Sequence, residues 1–265
     1  FRPEGEAGGN KAAAMLSGLV LMEVDPSDGT IKWVFDDGVD SDELDDLIDW
    51  DTNSEIVRKV LDNYDELEDV SLYYFGDEET DGAMKTGTTT VTVDGDSYNF
   101  LFNKTGGAES KGKGLTGVDD NKYIYKFGCR IKAGSDDKYQ VVAVLPNTGN
   151  ATDIHARGVW VEKFDSADLK SVANGTFTND KDETVNYLDV SDLQNTLGNG
   201  IKLYLVNTSG NVQKSKVAAK DGDDWYFYVK NRAVKLYTNN KNLDDRATTD
   251  TEKWENYVEY PDVAN

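Results

Sequence analysis

Alternating aromatic residues are the part of this sequence whose types and spacing best suit a ligand site. Tyr98, Phe100 and Phe102 alternate, so a β-strand would place their three rings on one side. Tyr226 and Tyr228 would form a similar pair. The faces of pyranose sugars stack on exposed Tyr and Trp rings much as bases do in single-stranded nucleic-acid sites. We expect the inward ring of each pair to be core between hairpins, and the outward ring stays open as a candidate sugar platform.

The remaining side chains offer few routes to catalysis. His155 and Cys129 are the only residues of their types, which excludes an internal disulfide framework and a Cys-based zinc cluster. A G-x-S-x-G elbow is missing, so a catalytic triad has no support. The 50 Asp and Glu residues fit a solvated acidic surface best. We therefore predict a protein that is not an enzyme, with no cofactor and no dedicated metal site, and the many carboxylates leave calcium binding open.

The charge balance restricts the partners. The chain has 28 Lys and Arg against 50 Asp and Glu, which is a formal net charge of −22. Nucleic acids and anionic membrane surfaces are therefore poor partners, because binding to either requires a basic face. No apolar run approaches the roughly 18 residues of a membrane-spanning helix, so we expect no membrane span.

The N-terminal part of the chain predicts a β-hairpin followed by two helices. Two apolar stretches within residues 18–35 flank a DPSDG turn, which is the pattern of a hairpin. Ser41 is a candidate N-cap for a short helix, and Ser54 is a candidate N-cap for a longer helix over 53–68. Helical periodicity then gives way to aromatic alternation, which predicts a domain boundary near residue 69.

Three later stretches repeat one pattern of an acidic turn, an aromatic strand and a basic or apolar return. They read DGDSYNFLFNKTG at 94–106, DDNKYIYKFGCRI at 119–131 and DGDDWYFYVKNRAV at 221–234. The tyrosines recur regularly, since Tyr73, Tyr98 and Tyr123 are each 25 residues apart. A hairpin of this size cannot bury its rings alone, so we expect neighbouring hairpins to cover one another.

The fold class that these patterns predict is α+β and mostly β. A small N-terminal segment of a hairpin plus helices precedes an array of β-hairpin repeats. The predicted segments are an N-terminal α/β segment at 1–69, repeats at 70–145, an insertion or diverged repeat at 146–200, repeats at 201–241 and a tail at 242–265.

The stretch LYYFGDEETDGAMKTG at 72–87 resembles the aromatic–Gly–Met–Lys–Thr–Gly signature of cell-wall-binding repeats, the family that includes choline-binding and glucan-binding modules. Residues 70–145 and 201–238 continue the pattern in the form found in surface proteins of gut Firmicutes. Leu72 and Thr88 stand where choline-binding members have Trp, so an aromatic cage for choline is incomplete here. The resemblance implies a carbohydrate ligand held by rings. Those rings are Tyr73, Tyr74, Tyr98, Phe100, Tyr123, Tyr125, Tyr204, Trp225, Tyr226 and Tyr228.

The resemblance implies a non-catalytic extracellular or cell-surface module that attaches to cell-wall or other polysaccharide. A chain that begins with Phe1 rather than Met fits a processed piece of a longer, secreted protein. Other protein subunits are the second class of partner. In that alternative, the protein is a structural or adhesive subunit of an extracellular or phage assembly, and the same rings make protein contacts.

Overall fold

The computed structural model describes residues 16–63, 70–76, 82–107, 110–145, 159–172, 175–178, 182–189, 200–222 and 224–240. They form an α+β fold that is mostly β, as predicted. The first group of elements is β1 (Leu19–Val24), β2 (Ile31–Asp36), α1 (Ser41–Asp49), α2 (Glu55–Asp62), β3 (Val70–Tyr74), β4 (Gly87–Val93), β5 (Asp96–Phe102), β6 (Gly117–Asp119), β7 (Tyr123–Lys126) and β8 (Cys129–Arg130). The second group is β9 (Tyr139–Leu145), β10 (Trp160–Phe164), α3 (Ser166–Val172), β11 (Gly175–Thr178), β12 (Thr184–Asp189), β13 (Lys202–Asn207), β14 (Lys216–Lys220), β15 (Tyr226–Lys230) and β16 (Ala233–Thr238).

The chain divides into two compact units. Among the described residues, the first unit takes 16–117 and 125–130, and the second takes 118–124, 131–145 and 159–240. The domain boundary that the sequence predicts near residue 69 lies outside the described residues, and strand β3 begins next to it at Val70. There β3 pairs with β1 in antiparallel register, from Leu19↔Tyr74 to Glu23↔Val70.

Helix α1 is capped by Asp40, and the prediction of Ser41 as the cap is wrong. The Asp40 carboxylate accepts the Glu43 N–H at 2.8 Å, and the Glu43 carboxylate accepts the Asp40 N–H at 3.2 Å, which completes a capping box. Ser41 instead donates its N–H and its hydroxyl to Oδ2 of Asp94, at 2.8 and 2.9 Å. These two bonds tie the β4–β5 turn to the start of helix α1.

Helix α2 begins after Ser54, as predicted. The Ser54 hydroxyl accepts the N–H of Val57 and serves as the N-cap. The helix runs from Glu55 to Asp62 and is shorter than the predicted 53–68, whose last part lies outside the described residues. Ile56, Val57 and Val60 are buried, so the apolar side of this helix faces the core.

The first sheet, in the order β2-β1-β3, builds a core of its own in the first unit. Val20, Met22, Val34 and Tyr73 belong to one buried cluster. Strand β1 is buried along its whole length, as expected for the central strand of a covered sheet. Tyr73, one of the candidate binding rings, is therefore a core residue of this sheet.

The second sheet has the order β4-β5-β8-β7-β6. Strands β4 and β5 pair over seven residues without a bulge, from Gly87↔Phe102 to Val93↔Asp96. Their turn, Asp94–Gly95, has positive φ at both residues, as a type I′ hairpin turn requires. The predicted row of Tyr98, Phe100 and Phe102 lies on one face of β5, where the two phenylalanines are buried and their rings stack at 5.4 Å. Phe100 pairs with the buried Cys129 of β8.

The second unit contains a three-stranded sheet, β10-β9-β13, and a five-stranded sheet, β11-β12-β16-β15-β14. Strand β9 is central and pairs with β13 from Lys202↔Val144 to Asn207↔Tyr139. A buried cluster joins the two sheets and α3 through residues such as Leu203, Phe227 and Leu169. This cluster is the core on which the candidate site of the second unit rests.

The turn between β7 and β8 is clasped by the segment that precedes β6. Phe127 and Gly128 both have positive φ. The Phe127 N–H donates to the hydroxyl of Thr116 at 3.0 Å, and the Gly128 N–H donates to the carbonyl of Leu115 at 2.8 Å. Two adjacent residues, Leu115 and Thr116, therefore accept the two consecutive N–H groups of the turn.

The turn between β15 and β16 is clasped in the same way. Asn231 and Arg232 have positive φ, the Asn231 N–H donates to the Ser215 hydroxyl at 3.2 Å, and the Arg232 N–H donates to the Lys214 carbonyl at 2.6 Å. The two turns end the predicted repeats at 119–131 and 221–234. In these two of the three predicted repeats, the similar sequence pattern accompanies a similar turn.

The hairpins are joined by pairings between strands that are distant in the sequence. Strand β1 pairs with β3, β9 with β13, and β12 with β16. Each of these pairings brings a strand from outside a hairpin into its sheet. Pairings between distant strands therefore hold these sheets together, in addition to the local turns that define each hairpin.

Candidate functional site

Burial divides the ten candidate rings into two groups of five. The core group, each residue at most 6% exposed, is Tyr73, Phe100, Tyr125, Tyr204 and Tyr228. A ligand cannot stack on these rings, because neighbouring side chains already cover them. The partly exposed group is Tyr74, Tyr98, Tyr123, Trp225 and Tyr226. These five keep surface for contact with a ligand.

Trp225 has the most elaborate support in the partly exposed group. It lies in the turn between β14 and β15, where the Asp221 N–H donates to the Trp225 carbonyl at 3.1 Å. Its indole centroid is 4.8 Å from the ring of Tyr237, which in turn stacks on Phe227 at 4.5 Å and 19°. Tyr237 and Phe227 are both fully buried. We call Trp225, the two rings behind it and the side chains of Asp221 and Lys170 the Trp225 platform.

A buried carboxylate holds the second ring of the platform in place. The Tyr237 hydroxyl donates to Oδ2 of Asp221, and Nζ of Lys170 lies 3.9 Å from the same oxygen. The side chain of Asp221 is 2% exposed and that of Lys170 is 27% exposed. A carboxylate so deeply buried requires such compensation, and here a phenol from β16 and an ammonium group from α3 provide it. The orientation of Tyr237, and with it the support of the indole, is therefore fixed.

Polar side chains lie near the platform on the same turn. Asp224 precedes Trp225, and its carboxylate lies 3.4 Å from Nζ of Lys220. The Asp224 side chain is 98% exposed and can exchange this partner for a ligand hydroxyl. The combination of a flat apolar ring with exposed donors and acceptors suits the recognition of a sugar.

Two of the other exposed rings are partly covered by neighbours. Tyr74 stacks on the buried Phe102 at 6.3 Å and 20°. Tyr123 has Nζ of Lys122 at 4.8 Å from its ring centroid, in a cation–π contact that occupies one face. Tyr74 lies in the first unit and Tyr123 in the second. Each ring therefore has at most one face for a ligand.

Tyr98 lies in acidic surroundings in the first unit. Burial is the main cause that raises the pKa of its phenol, and the carboxylates of Asp45 and Asp96 raise this pKa further. The hydroxyl therefore stays protonated at neutral pH and is available as a hydrogen-bond donor. Tyr98 is a second candidate contact for a hydroxyl-rich ligand.

Sequence reasoning found Trp225 and Tyr226 but missed the residues that support them. Asp221 stands in the DGDDW turn, where the pattern suggested only a solvated acid. Tyr237 is on the following strand. Lys170 is on helix α3 and precedes Asp221 by 51 residues in the chain. Strand β16 buries Val234, Leu236 and Tyr237, and a register shift beside it breaks the simple alternation, so the sequence pattern did not indicate Tyr237. The ion pair with Lys170 had no signal in the sequence.

The described residues include no group of three or more His, Cys, Asp or Glu side chains placed to hold a metal ion. Within the same ranges, none of the helices is both long enough and apolar enough to cross a membrane.

Comparison with known proteins gave no match, since no family model, curated protein or solved structure is detectably similar to this chain. The geometry of the Trp225 platform is therefore the basis on which its function can be argued.

Proposed function

We propose that this protein is a non-catalytic extracellular attachment module that binds cell-wall or another polysaccharide through the Trp225 platform. The observation that carries the proposal is the partly exposed indole of Trp225, supported from behind by Tyr237 at 4.8 Å. A ring that is already fixed loses little conformational entropy when a ligand stacks on it. Such a ring favours binding to the flat apolar face of a pyranose.

The charge of the chain favours a polysaccharide without anionic groups. A net charge of −22 opposes a polyanion over most of the protein surface. Recognition would rest on stacking at Trp225 and on hydrogen bonds from sugar hydroxyls to groups such as Asp224. Tyr226 and Tyr98 are further partly exposed rings that can contact a chain of sugars.

The environment of Asp221 supports attachment rather than hydrolysis. Glycoside hydrolysis needs two carboxyl groups that reach the scissile bond. The Asp221 carboxylate is buried and is engaged by Tyr237 and Lys170, so it acts as structural support beneath the ring. Asp224 is solvated on the outside of the turn, so the two carboxylates of this turn do not share one exposed site.

The test measures binding to purified cell walls and to a glycan array by the wild type and by Trp225→Ala. Loss of a stacking ring removes about 1–3 kcal/mol, so we expect binding to weaken about 5- to 150-fold. Trp225→Phe keeps a flat ring and should retain part of the affinity. Circular dichroism melting of each variant shows whether the fold persists.

Trp33→Ala is the matched control, since Trp33 is also a partly exposed tryptophan but lies on β2 of the first unit. It should bind like the wild type. The proposal fails if the wild type binds no polysaccharide. It also fails if Trp225→Ala binds as tightly as Trp33→Ala.

A further inference from the structure

We propose that strand β4 is an interface through which two copies of this chain associate edge to edge. Strand β4 is the outer strand of the sheet β4-β5-β8-β7-β6 and contributes seven consecutive residues to it. All seven pair with β5. Within the described part of the chain, no backbone group bonds to the opposite edge of β4. An edge of this length presents a row of backbone groups that another strand can pair with.

The other outer strands of the described sheets are protected from such pairing. Strand β3 is covered, because its carbonyls at Leu72 and Tyr74 accept the N–H groups of Gly114 and Lys85. Strand β13 is covered in the same way at Leu205 and Asn207. Strands β2, β10 and β14 carry charged residues, and β6 and β11 have three and four residues. Charges and short length are the usual protections of an edge, and β4 has neither.

The hairpin geometry tells which residues of β4 face the open edge. A two-residue type I′ turn closes on a hydrogen-bonded pair, here Val93 and Asp96, and the pairs then alternate along the ladder. Thr88, Thr90 and Thr92 therefore direct their N–H and C=O groups away from β5. Their side chains are also exposed. Three outward-facing donor–acceptor sets thus stand in a row along the edge.

The sequence of β4 is complementary to itself in antiparallel orientation. A two-fold axis at Thr90 gives the full seven-residue overlap, and it places Thr88 of each copy opposite Thr92 of the other. Cross-strand pairs of threonine stabilise a sheet. The strand itself carries no charge, so this close contact avoids the repulsion that a net charge of −22 imposes elsewhere.

The ends of the strand are complementary in charge. In this register Lys85 of each copy lies near the β4–β5 turn of the other, where Asp94 and Asp96 are exposed. Two such lysine–aspartate contacts, one at each end, favour the antiparallel arrangement and set its register. An unrelated extended peptide is not expected to match the charges at both ends of β4. The partner that fits this strand is therefore a second copy of the chain.

The test is sedimentation velocity over a range of protein concentrations, with the wild type, Thr90→Lys and Thr90→Glu. The wild type should shift from monomer to dimer as concentration rises. Each charged variant places two like charges opposite each other at the axis and should weaken association at least about tenfold. An equimolar mixture of the two variants should restore dimers, because opposite charges then meet at the axis, and neither variant alone can provide that pair.

Ser97→Lys and Ser97→Glu are the matched controls. Ser97 is exposed and pairs with Thr92, but it belongs to β5, which has partners on both sides. These variants carry the same charges on an inner strand and should associate like the wild type. The proposal is overturned if the wild type stays monomeric up to about 1 mM, the weak end of specific association. It is also overturned if the Thr90 and Ser97 variants behave alike, or if the mixture gives no dimers.

Discussion

At the scale of single residues, the proposed site rests on one buried carboxylate, that of Asp221. Asp221 is buried, yet it connects a strand, a helix and a turn through Tyr237, Lys170 and the Trp225 carbonyl. The ring that we expect to meet the ligand is thus positioned by a group two layers behind it. This dependence separates the residues that support the site from those that would bind.

Replacement of Asp221 by alanine should destabilise the fold. The variant removes the hydrogen bond from the buried Tyr237 hydroxyl to Asp221 and the ion pair of Asp221 with Lys170, which costs about 1–3 kcal/mol. Urea unfolding of the two proteins measures the change in the free energy of unfolding. Asp224→Ala is the control from the same turn, because its exposed pair with Lys220 should contribute less than about 0.5 kcal/mol. Equal effects of the two substitutions would contradict the supporting role of Asp221.

At the scale of elements, turns and helix starts can be recognised in the sequence because the residues that specify them are adjacent in the chain. Asp94–Gly95 is a dipeptide typical of two-residue hairpin turns, and Ser54 indicates a helix start by its side chain alone. The sequence did not distinguish Asp40 from Ser41 as the cap, because both residue types cap helices. In the structure, the hydroxyl of Ser41 instead donates to the distant Asp94. Local signals thus predict the elements, and tertiary contacts decide their ends.

Two glycines with nearly the same backbone conformation should respond differently to alanine. Gly95 has φ +91° with open space around the position of a Cβ, whereas Gly128 has φ +87° and a Cβ there would lie 2.9 Å from the Cα of Gly114. Gly95→Ala should therefore cost only the conformational strain, about 1–2 kcal/mol. Gly128→Ala adds a backbone clash inside the clasped turn and should cost clearly more. Chemical unfolding of both variants checks this order, which a larger loss for Gly95→Ala would refute.

At the scale of the whole molecule, the sequence predicted the class of the fold but not its connections. Abundant turn residues and alternating strands indicated a mostly β protein. The pairing of β1 with β3, and the meeting of Lys170 with Asp221, depend on how distant strands pack, and neither has a local pattern. The candidate rings were likewise found by type, whereas their division into core and exposed groups needed the sheets in place. Trp225 was therefore predictable as a candidate ring, and the residues that support it were not.

The net charge should make stability and binding respond differently to salt. Repulsion among 50 acidic residues opposes the compact state, so the free energy of unfolding should rise as NaCl is raised from about 10 mM to 300 mM. Binding of an uncharged polysaccharide by stacking should change little over the same range. Urea unfolding and glycan binding, each measured along the salt series, test both statements. A steep fall of binding with salt would instead indicate recognition of an anionic ligand.

The burial of the single cysteine has a practical consequence for experiments on this protein. Cys129 is 3% exposed and sits on β8 opposite Phe100, in the interior of a five-stranded sheet. Its thiol can meet an alkylating reagent only when that sheet opens, so the labelling rate in native buffer reports the opening equilibrium of the sheet. A cysteine introduced on the surface would react first, and the two rates would separate local access from opening of the core.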